Sequence, residues 1–564
     1  MGTTAAQPQY FPQNLFQEGD TFSYVKGPHT WKMGVDVERF QLASNGLNSQ
    51  RGTYSFASLR DFIANQPNQL TFSLVGGASS PNRGWRQTLF GWFVQDDFRV
   101  RPNLTLNLGF RHEFLNTPAE VNGRSANLIR TTDVESTLGP PWRPHKKSFA
   151  PRVGLAWDPF GKGKTSVRVG TGVFFNQLTG RTWYLSSQND HRFNITYQIR
   201  NPVFPNALAN GLTTGSKQEQ TNQYQHDTPT TVHYNLDVQQ QLTPTISAHA
   251  GYVGSNGRNF TDQESENIRI AQILADGSKF FAANAPFVNP NFSTIRRVKT
   301  RSYSNYNALQ AGLSKSFSRG LLLQANYTWS KNMGTADALS SSQLYSINAY
   351  VLDINNLARD YSYAAFDMRH SLVINTRYKL PFDHFKSRIA RAAIGGWEIN
   401  GILQVNAGLP LDILDGFNNS NNGDNGQPDR PSLAPGYRGN PTHGTTAGCQ
   451  GVPAGQKVGT PDLWFNPCAF VLSPAGTFGN VARNSVIGPA YRNLDFSMAK
   501  NFALREGMNL EFRAEVFNIF NHANFAAPLN PLFTANRVAS GNAGVITSTA
   551  NANREIQFGL KLTF

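Results

Sequence analysis

The sequence predicts an all-β protein, a transmembrane antiparallel β-barrel of about fifteen strands. Three observations predict it. Apolar and polar residues alternate strictly over stretches of roughly 9 to 15 residues, whereas soluble strands usually run about 5 or 6 and a tilted membrane-spanning strand needs about 9 to 11. The connections between these stretches take turns between tight and long, the pattern of a barrel with short periplasmic turns and large extracellular loops. Mean hydropathy is −0.41 and aromatics reach 12 %, with no apolar run of the ~20 residues that a membrane helix needs. In lipid every backbone N–H and C=O must find an internal partner, and only helices and closed barrels provide that. With helices excluded, low hydropathy follows because every second residue faces a wet interior.

Side chains alternate faces along a strand, and the elements follow in order. Trp31, Met33, Val35 and Val37 alternate with Lys32, Gly34, Asp36 and Glu38. Leu104, Leu106, Leu108 and Phe110 alternate with Thr105, Asn107, Gly109 and Arg111. Val232, Tyr234, Leu236 and Val238 repeat the pattern, as do Leu510, Phe512, Ala514 and Val516. It is clearest at the C-terminus, where Ile556, Phe558, Leu560, Leu562 and Phe564 are separated by Gln557, Gly559, Lys561 and Thr563. The same criterion places strands near 19–27, 30–42, 86–100, 104–115, 149–158, 163–176, 229–242, 245–255, 304–317, 321–332, 368–381, 395–410, 491–503, 508–519 and 554–564. Tight connections include 101–103, 160–162, 243–244, 318–320 and 504–507; long ones lie near 43–85, 116–148, 177–228, 256–303, 333–367, 411–490 and 520–553. Helical periodicity is confined to Phe385–Ile394. Trp31, Trp92, Trp157, Trp329, Trp397 and Tyr252 lie toward strand ends, where interfacial girdles sit.

Lys and Arg total 51 against 36 Asp and Glu, a net charge of +15. The basic residues are scattered, with no Lys/Arg-rich run and no zinc-finger spacing, so nucleic acid is not an expected partner. The two cysteines, Cys449 and Cys468, lie in the largest loop, 411–490. Two cysteines cannot build a four-Cys zinc site. They read as one loop disulfide in an oxidising compartment, with a pair of free thiols as the alternative.

Motifs that look chemical resolve into structure. Gly161-Lys-Gly-Lys-Thr165 lacks the first glycine of a P-loop, which would fall at Asp158, and a strand-like run follows it instead of a helix. It reads as a hairpin turn. Asp415–Asp429 is rich in oxygen ligands but lacks EF-hand spacing, which favours a solvated Asn/Gly loop over a calcium site. His370 and His522 have no partners at metal-ligand spacing. No nucleophile elbow or triad is present, so neither a catalytic residue, a cofactor nor a metal site is assigned and the chain is not read as an enzyme. Arg513 and Glu515, with Glu511 beside them, fall on the wet face of their strand. They read as an inward charged pair, because Arg on a lipid face costs about 2–4 kcal/mol at mid-membrane.

If the short turns are periplasmic, the last strand runs downward to Phe564 and the first strand also runs downward. Residues 1–18 then form an N-terminal extension on the outer side, ahead of a barrel portion spanning 19–564. Met1–Gln9 has neither the basic nor the apolar region of a secretory signal. An odd strand count that starts on the outer side is expected for the C-terminal part of a longer protein. It leaves the sheet open, with 19–27 and 554–564 as edges and a wide lumen.

Several segments together resemble TonB-dependent receptors. Phe93-Val-Gln-Asp-Asp-Phe98 followed by Asn103-Leu-Thr-Leu-Asn-Leu-Gly-Phe-Arg111 is similar to a strand pair of that family, and Phe149–Trp157 to the next hairpin. Asp367–His370, Gly395–Asn400, Gly488–Asp495 and Phe512–His522 are similar to its Oar-like subgroup. The resemblance covers most strands from about residue 20 to Phe564. It implies a 22-stranded outer-membrane barrel closed by a plug, of which this chain would supply the last fifteen strands and neither the plug nor the TonB box. It implies energised uptake of an unidentified ligand, with a passive porin or surface adhesion barrel as the alternative. The implied partners are outer-membrane lipid and lipopolysaccharide, the barrel-assembly machinery and, through the plug region, the inner-membrane TonB complex. The row Ile556, Phe558, Leu560, Leu562 and Phe564 would serve as the outer-membrane assembly signal.

Overall fold

The computed structural model describes residues 9–46, 49–73, 80, 82–178, 190–207, 213–214, 217–336, 350–382, 394–424 and 429–564. Fifteen long strands follow one another in an antiparallel meander. They are β1 (Gln13–Lys26), β2 (His29–Asn45), β3 (Asn82–Arg101), β4 (Leu104–Leu115), β5 (Ser148–Trp157), β6 (Thr165–Phe175), β7 (Thr230–Thr243), β8 (Ile246–Ser265), β9 (Thr294–Ser318), β10 (Leu321–Gly334), β11 (His370–Lys379), β12 (Trp397–Asn406), β13 (Tyr491–Arg505), β14 (Met508–Phe517) and β15 (Glu555–Thr563). Each pairs with its neighbour in sequence. Three short strands, Ala119–Glu120, Gln218–Asn222 and Ser362–Tyr363, extend the sheet at its long-loop end.

Among the described residues no ladder is found between β1 and β15, the first and last strands of the sheet. They run in the same direction, and both are exposed along their whole length.

Three boundaries extend well beyond the sequence expectation. The first strand starts at Gln13, because Gln13–Glu18 continue the ladder opposite Leu42–Val37. β8 and β9 run well beyond the expected 255 and 304. Register shifts between Gly257, Phe260 and Thr261 break the alternation there, and the strands continue above the break as a polar ladder. The short-turn end has one long connection, 380–396; the Phe385–Ile394 stretch lies within it and, apart from Ile394, outside the described residues. The Gly161–Thr165 segment is a hairpin turn. Asp158 Oδ2 accepts from the Gly163 N–H at 2.6 Å, and Gly161 and Gly163 take φ of 63° and 67°, where a Cβ is disfavoured.

The register lines up one continuous apolar face. Phe98, Leu106, Leu155, Val169, Leu236, Tyr252, Leu309 and Trp329 are successive cross-strand partners on β3 to β10. The row begins beside the short turn after β3 and ends near the long-loop end of β10. That climb is the stagger of tilted strands. Trp31 and Trp157 lie close to short turns and Trp397 at the same end of the sheet, while Tyr252, Leu309 and Trp329 share a level higher up. The buried hydrophobic clusters are elsewhere. The largest joins Leu411, Ile413, Phe465, Phe470, Val481 and Val486 from the 407–490 loop to Leu532 and Ala543 from the 518–554 loop. The packed core of this molecule thus lies in its long loops and in the strand ends that they cover, such as Leu42, Trp85 and Ile295.

Candidate functional site

A set of ion pairs lines the face opposite the apolar row. On β1 to β4, Arg111 Nε contacts Glu113 Oε2 at 2.7 Å and Arg111 Nη2 reaches Asp36 Oδ2 at 3.9 Å. Gln17 Nε2 donates to Asp36 at 3.1 Å and to Glu38 at 3.3 Å. Asp97 accepts from Asn107 at 2.6 Å and from Gln95 at 3.1 Å. Arg377 grips Glu398 with two nitrogens, at 2.6 and 2.7 Å. A groove of about 290 Å³ on this face is bordered by Gln95, Asn107, Arg152, Phe174, His233 and Asn235. Arg152 stands 4.5 Å from the Phe174 ring centroid, a cation–π contact. The wall thus offers both donors and acceptors to whatever fills the lumen.

The residues singled out from sequence fall into three places. Arg513 and Glu515 share this polar face at 3.5 Å, and Arg513 makes its closer contact, 2.5 Å, with Glu511. Ile556, Phe558, Leu560 and Leu562 lie opposite Val516, Ala514, Phe512 and Leu510 on the apolar face; Phe558 is 72 % exposed and Phe564 91 %. Cys449 and Cys468 are joined by a disulfide with a Cα–Cα distance of 5.6 Å. It borders an apolar cavity of about 290 Å³ with Val452, Phe470, Leu532 and Phe533.

The Asp415–Asp429 segment is not the solvated loop expected from its composition. Asp415, Asn419, Ser420 and Asp429 are all buried. Asp429 Oδ2 accepts from the Ser420 N–H at 2.5 Å, and Arg537 of the neighbouring loop donates to Asn419 Oδ1 at 2.6 Å. Two long loops stacked at one end cover each other's polar residues, which composition within one loop cannot reveal. Burial, and then the charge of Asp429, pushes the Asp415 carboxyl up to about 8. Burial pushes Asp429 up to about 6.

Two polar assemblies escaped the sequence reading. Asp262, Glu264 and Glu266 face Arg297, Lys299 and Arg301 across the tops of β8 and β9. Contacts are 2.7 Å for Arg297–Glu266, 2.9 Å for Lys299–Glu266 and 2.6 Å for Arg301–Glu264. Against burial, which opposes its charge, Arg297 and Lys299 hold the Glu266 carboxyl near 2. The period-two spacing of three acids and three bases is the signal that could have found this ladder. The second assembly is centred on His191. Its Nδ1 is 2.6 Å from Glu219 Oε2 and its Nε2 is 2.6 Å from Glu135 Oε2. Burial opposes the imidazolium, but Glu219 and Glu135 outweigh it and raise the His191 pKa. Hydrogen bonds from His191 and Lys217 hold Glu135 at about 2. Burial and the Glu219 charge push Asp190 up to about 7. Glu219 and Glu135 lie 28 and 56 residues from His191, so no local spacing announces them.

An antiparallel meander with an apolar outer row, a charged inner wall and a one-sided mantle of loops defines a transmembrane β-barrel protein. The sequence from residue 1 to 557 matches the family described as outer membrane beta barrel domain, and the chain belongs to that family, which places it in the outer membrane. It is homologous to the TonB-dependent transporter Oar of Myxococcus xanthus, at 23 % identity over 390 residues; the match covers 62 % of this chain and 34 % of Oar. Its fold is that of the outer membrane transporter YddB from Escherichia coli, with a TM-score of 0.51 and 11 % identity over 98 % of this chain and 54 % of that one. The chain thus spans about a third of the length of Oar. Its barrel strands and one-sided long loops are similar to those of the TonB-dependent transporters it matches.

Proposed function

We propose that this chain is the barrel portion of a TonB-dependent transporter that takes up a ligand in an energised step. The observation that carries the reading is the inner wall. Asp36, Glu113, Asp97, Glu398, Arg111, Arg377 and Arg513 line it as short-range ion pairs and hydrogen-bonded sets. Such a wall can hold a removable polar domain through many weak, separable contacts, each worth about 0–1 kcal/mol when solvated. In this reading a plug occupies the lumen, the inner-membrane TonB complex pulls on that plug, and the extracellular loops bind the ligand. The outer row contacts lipid and lipopolysaccharide, and the C-terminal residues Phe558 to Phe564 are presented to the barrel-assembly machinery.

The test is retention of the periplasmic domain of TonB by the immobilised full-length gene product in detergent, read together with its conductance in planar bilayers. A transporter retains TonB and keeps its lumen closed. A passive porin or an adhesion barrel retains none, and a porin conducts steadily.

A further inference from the structure

The His191 cluster has the composition and geometry of a metal centre. One oxygen each from Asp190 and Glu219 and one nitrogen of His191 all lie within 4.8 Å of one another. Asp190 and Glu219 are each 1 % exposed. Glu219 Oε2 faces His191 Nδ1, while Glu219 Oε1 is buried with no hydrogen-bond partner. An orphaned carboxylate oxygen in a dry site costs free energy until something positive meets it. The cations nearby do not meet it. Lys217 and Arg192 contact Glu135 on the far side of the imidazole, and Arg83 acts on Asp190.

From this geometry we propose that Asp190, His191 and Glu219, all from the connection between β6 and β7, bind a divalent transition metal of the Zn²⁺ type, which pins two distant parts of that loop to each other. Two carboxylates and one imidazole are a three-ligand Zn²⁺ set that leaves a fourth position for water. The imidazole nitrogen favours Zn²⁺-type ions over Ca²⁺ and Mg²⁺, which prefer oxygen. His191 Nδ1 and Glu219 Oε2 need to separate only to about 3.3 Å, the spacing of two ligands each about 2.0 Å from a tetrahedral ion. Glu135 already holds Nε2, the outer partner that fixes the tautomer and orientation of a ligating histidine. The Phe292 ring stands edge-on at 5.0 Å from His191 and walls the site with a third loop. The loops that carry Glu135 and Phe292 pack against the ligating His191 from outside the ligand set.

The experiment is equilibrium dialysis of the full chain in detergent against ZnCl₂, followed by metal analysis, with Co²⁺ as a spectroscopic substitute. The expected result is one tightly held Zn²⁺ per chain that excess Ca²⁺ or Mg²⁺ does not displace, while Co²⁺ loaded into the metal-free chain gives the visible bands of a tetrahedral N/O site and is displaced by Zn²⁺. His191→Ala and Glu219→Gln should each weaken binding by about 100-fold, and Glu135→Gln by about 10-fold. Should either ligand variant fail to fold, the Co²⁺ spectrum of the unaltered chain and the Glu135→Gln shift decide the matter. Stoichiometric binding that survives His191→Ala in folded protein, displacement by Ca²⁺, or no Zn²⁺ held by the unaltered chain overturns the proposal.

Discussion

The membrane-spanning belt and the mantle of long loops obey opposite rules of burial. In the belt, large hydrophobic side chains such as Leu309, Trp329 and Phe558 are exposed outward, and lipid is their solvent. Cohesion there comes from the backbone ladder, because an unpaired amide in hydrocarbon costs several kcal/mol. In the mantle, hydrophobic side chains such as Phe465 and Leu532 are buried as in a water-soluble domain, and so are many charges. Arg430 and Asp360 form an ion pair at 2.8 Å with both side chains buried. Arg483 donates to the Gly334 carbonyl at 2.6 Å and to the Asp360 carbonyl at 3.2 Å, joining two loops. One chain thus carries two solvation codes. The boundary between them lies where the strands leave the membrane.

The comparison can be broken most directly in the belt. Leu313 on β9 lies on the apolar row opposite Ala248 and Ala325, and its neighbour Ser314 faces the lumen. Leu313→Arg should destabilise the folded barrel by about 2–4 kcal/mol, whereas Ser314→Arg should cost far less. Urea unfolding in lipid vesicles, followed by tryptophan fluorescence, measures both. Equal losses at the two positions would mean that the faces are assigned wrongly.

The mantle should respond as a soluble domain does. Cys449 and Cys468 close a loop of sequence separation 19, and removing such a cross-link costs about 2–3 kcal/mol in local stability. Cys449→Ala with Cys468→Ala should speed proteolytic cleavage between 407 and 490 and leave the strands protected. Cleavage spreading into β12 and β13 would show that mantle and belt unfold as one unit.

Acid–base behaviour sharpens the same contrast. Asp415, pushed up to about 8, binds its proton more tightly folded than unfolded, where carboxyls titrate near about 3.9. Its contribution is therefore fully present below about pH 4 and is lost as pH rises toward 8. Asp415→Asn should remove that slope. The ratio of wild-type to variant cleavage rates in the 407–490 loop should climb from pH 5 to pH 8, and a flat ratio would contradict the buried, uncharged state of Asp415. The smallest effect is expected on the lumen wall. Arg513, about half exposed with Glu511 and Glu515 beside it, should give at most about 1 kcal/mol on Arg513→Ala, read by the same urea titration.

The sequence by itself determined the belt. All fifteen strands, the apolar row and the alternation of tight and long connections follow from a period of two, which each residue reports through its own neighbours. It also supplied the hairpin at Gly161–Thr165, because turn chemistry is local. Only the tertiary structure decided the mantle. Asp415 and Asp429 look solvated in isolation and are buried by another loop; His191 meets Glu219 and Glu135 only when two loops fold over each other; β8 and β9 outrun their lipid-facing pattern through irregular register at Gly257 and Phe260. Long loops carry no periodicity, so the contacts that bury their charges are set by where the sheet places their ends.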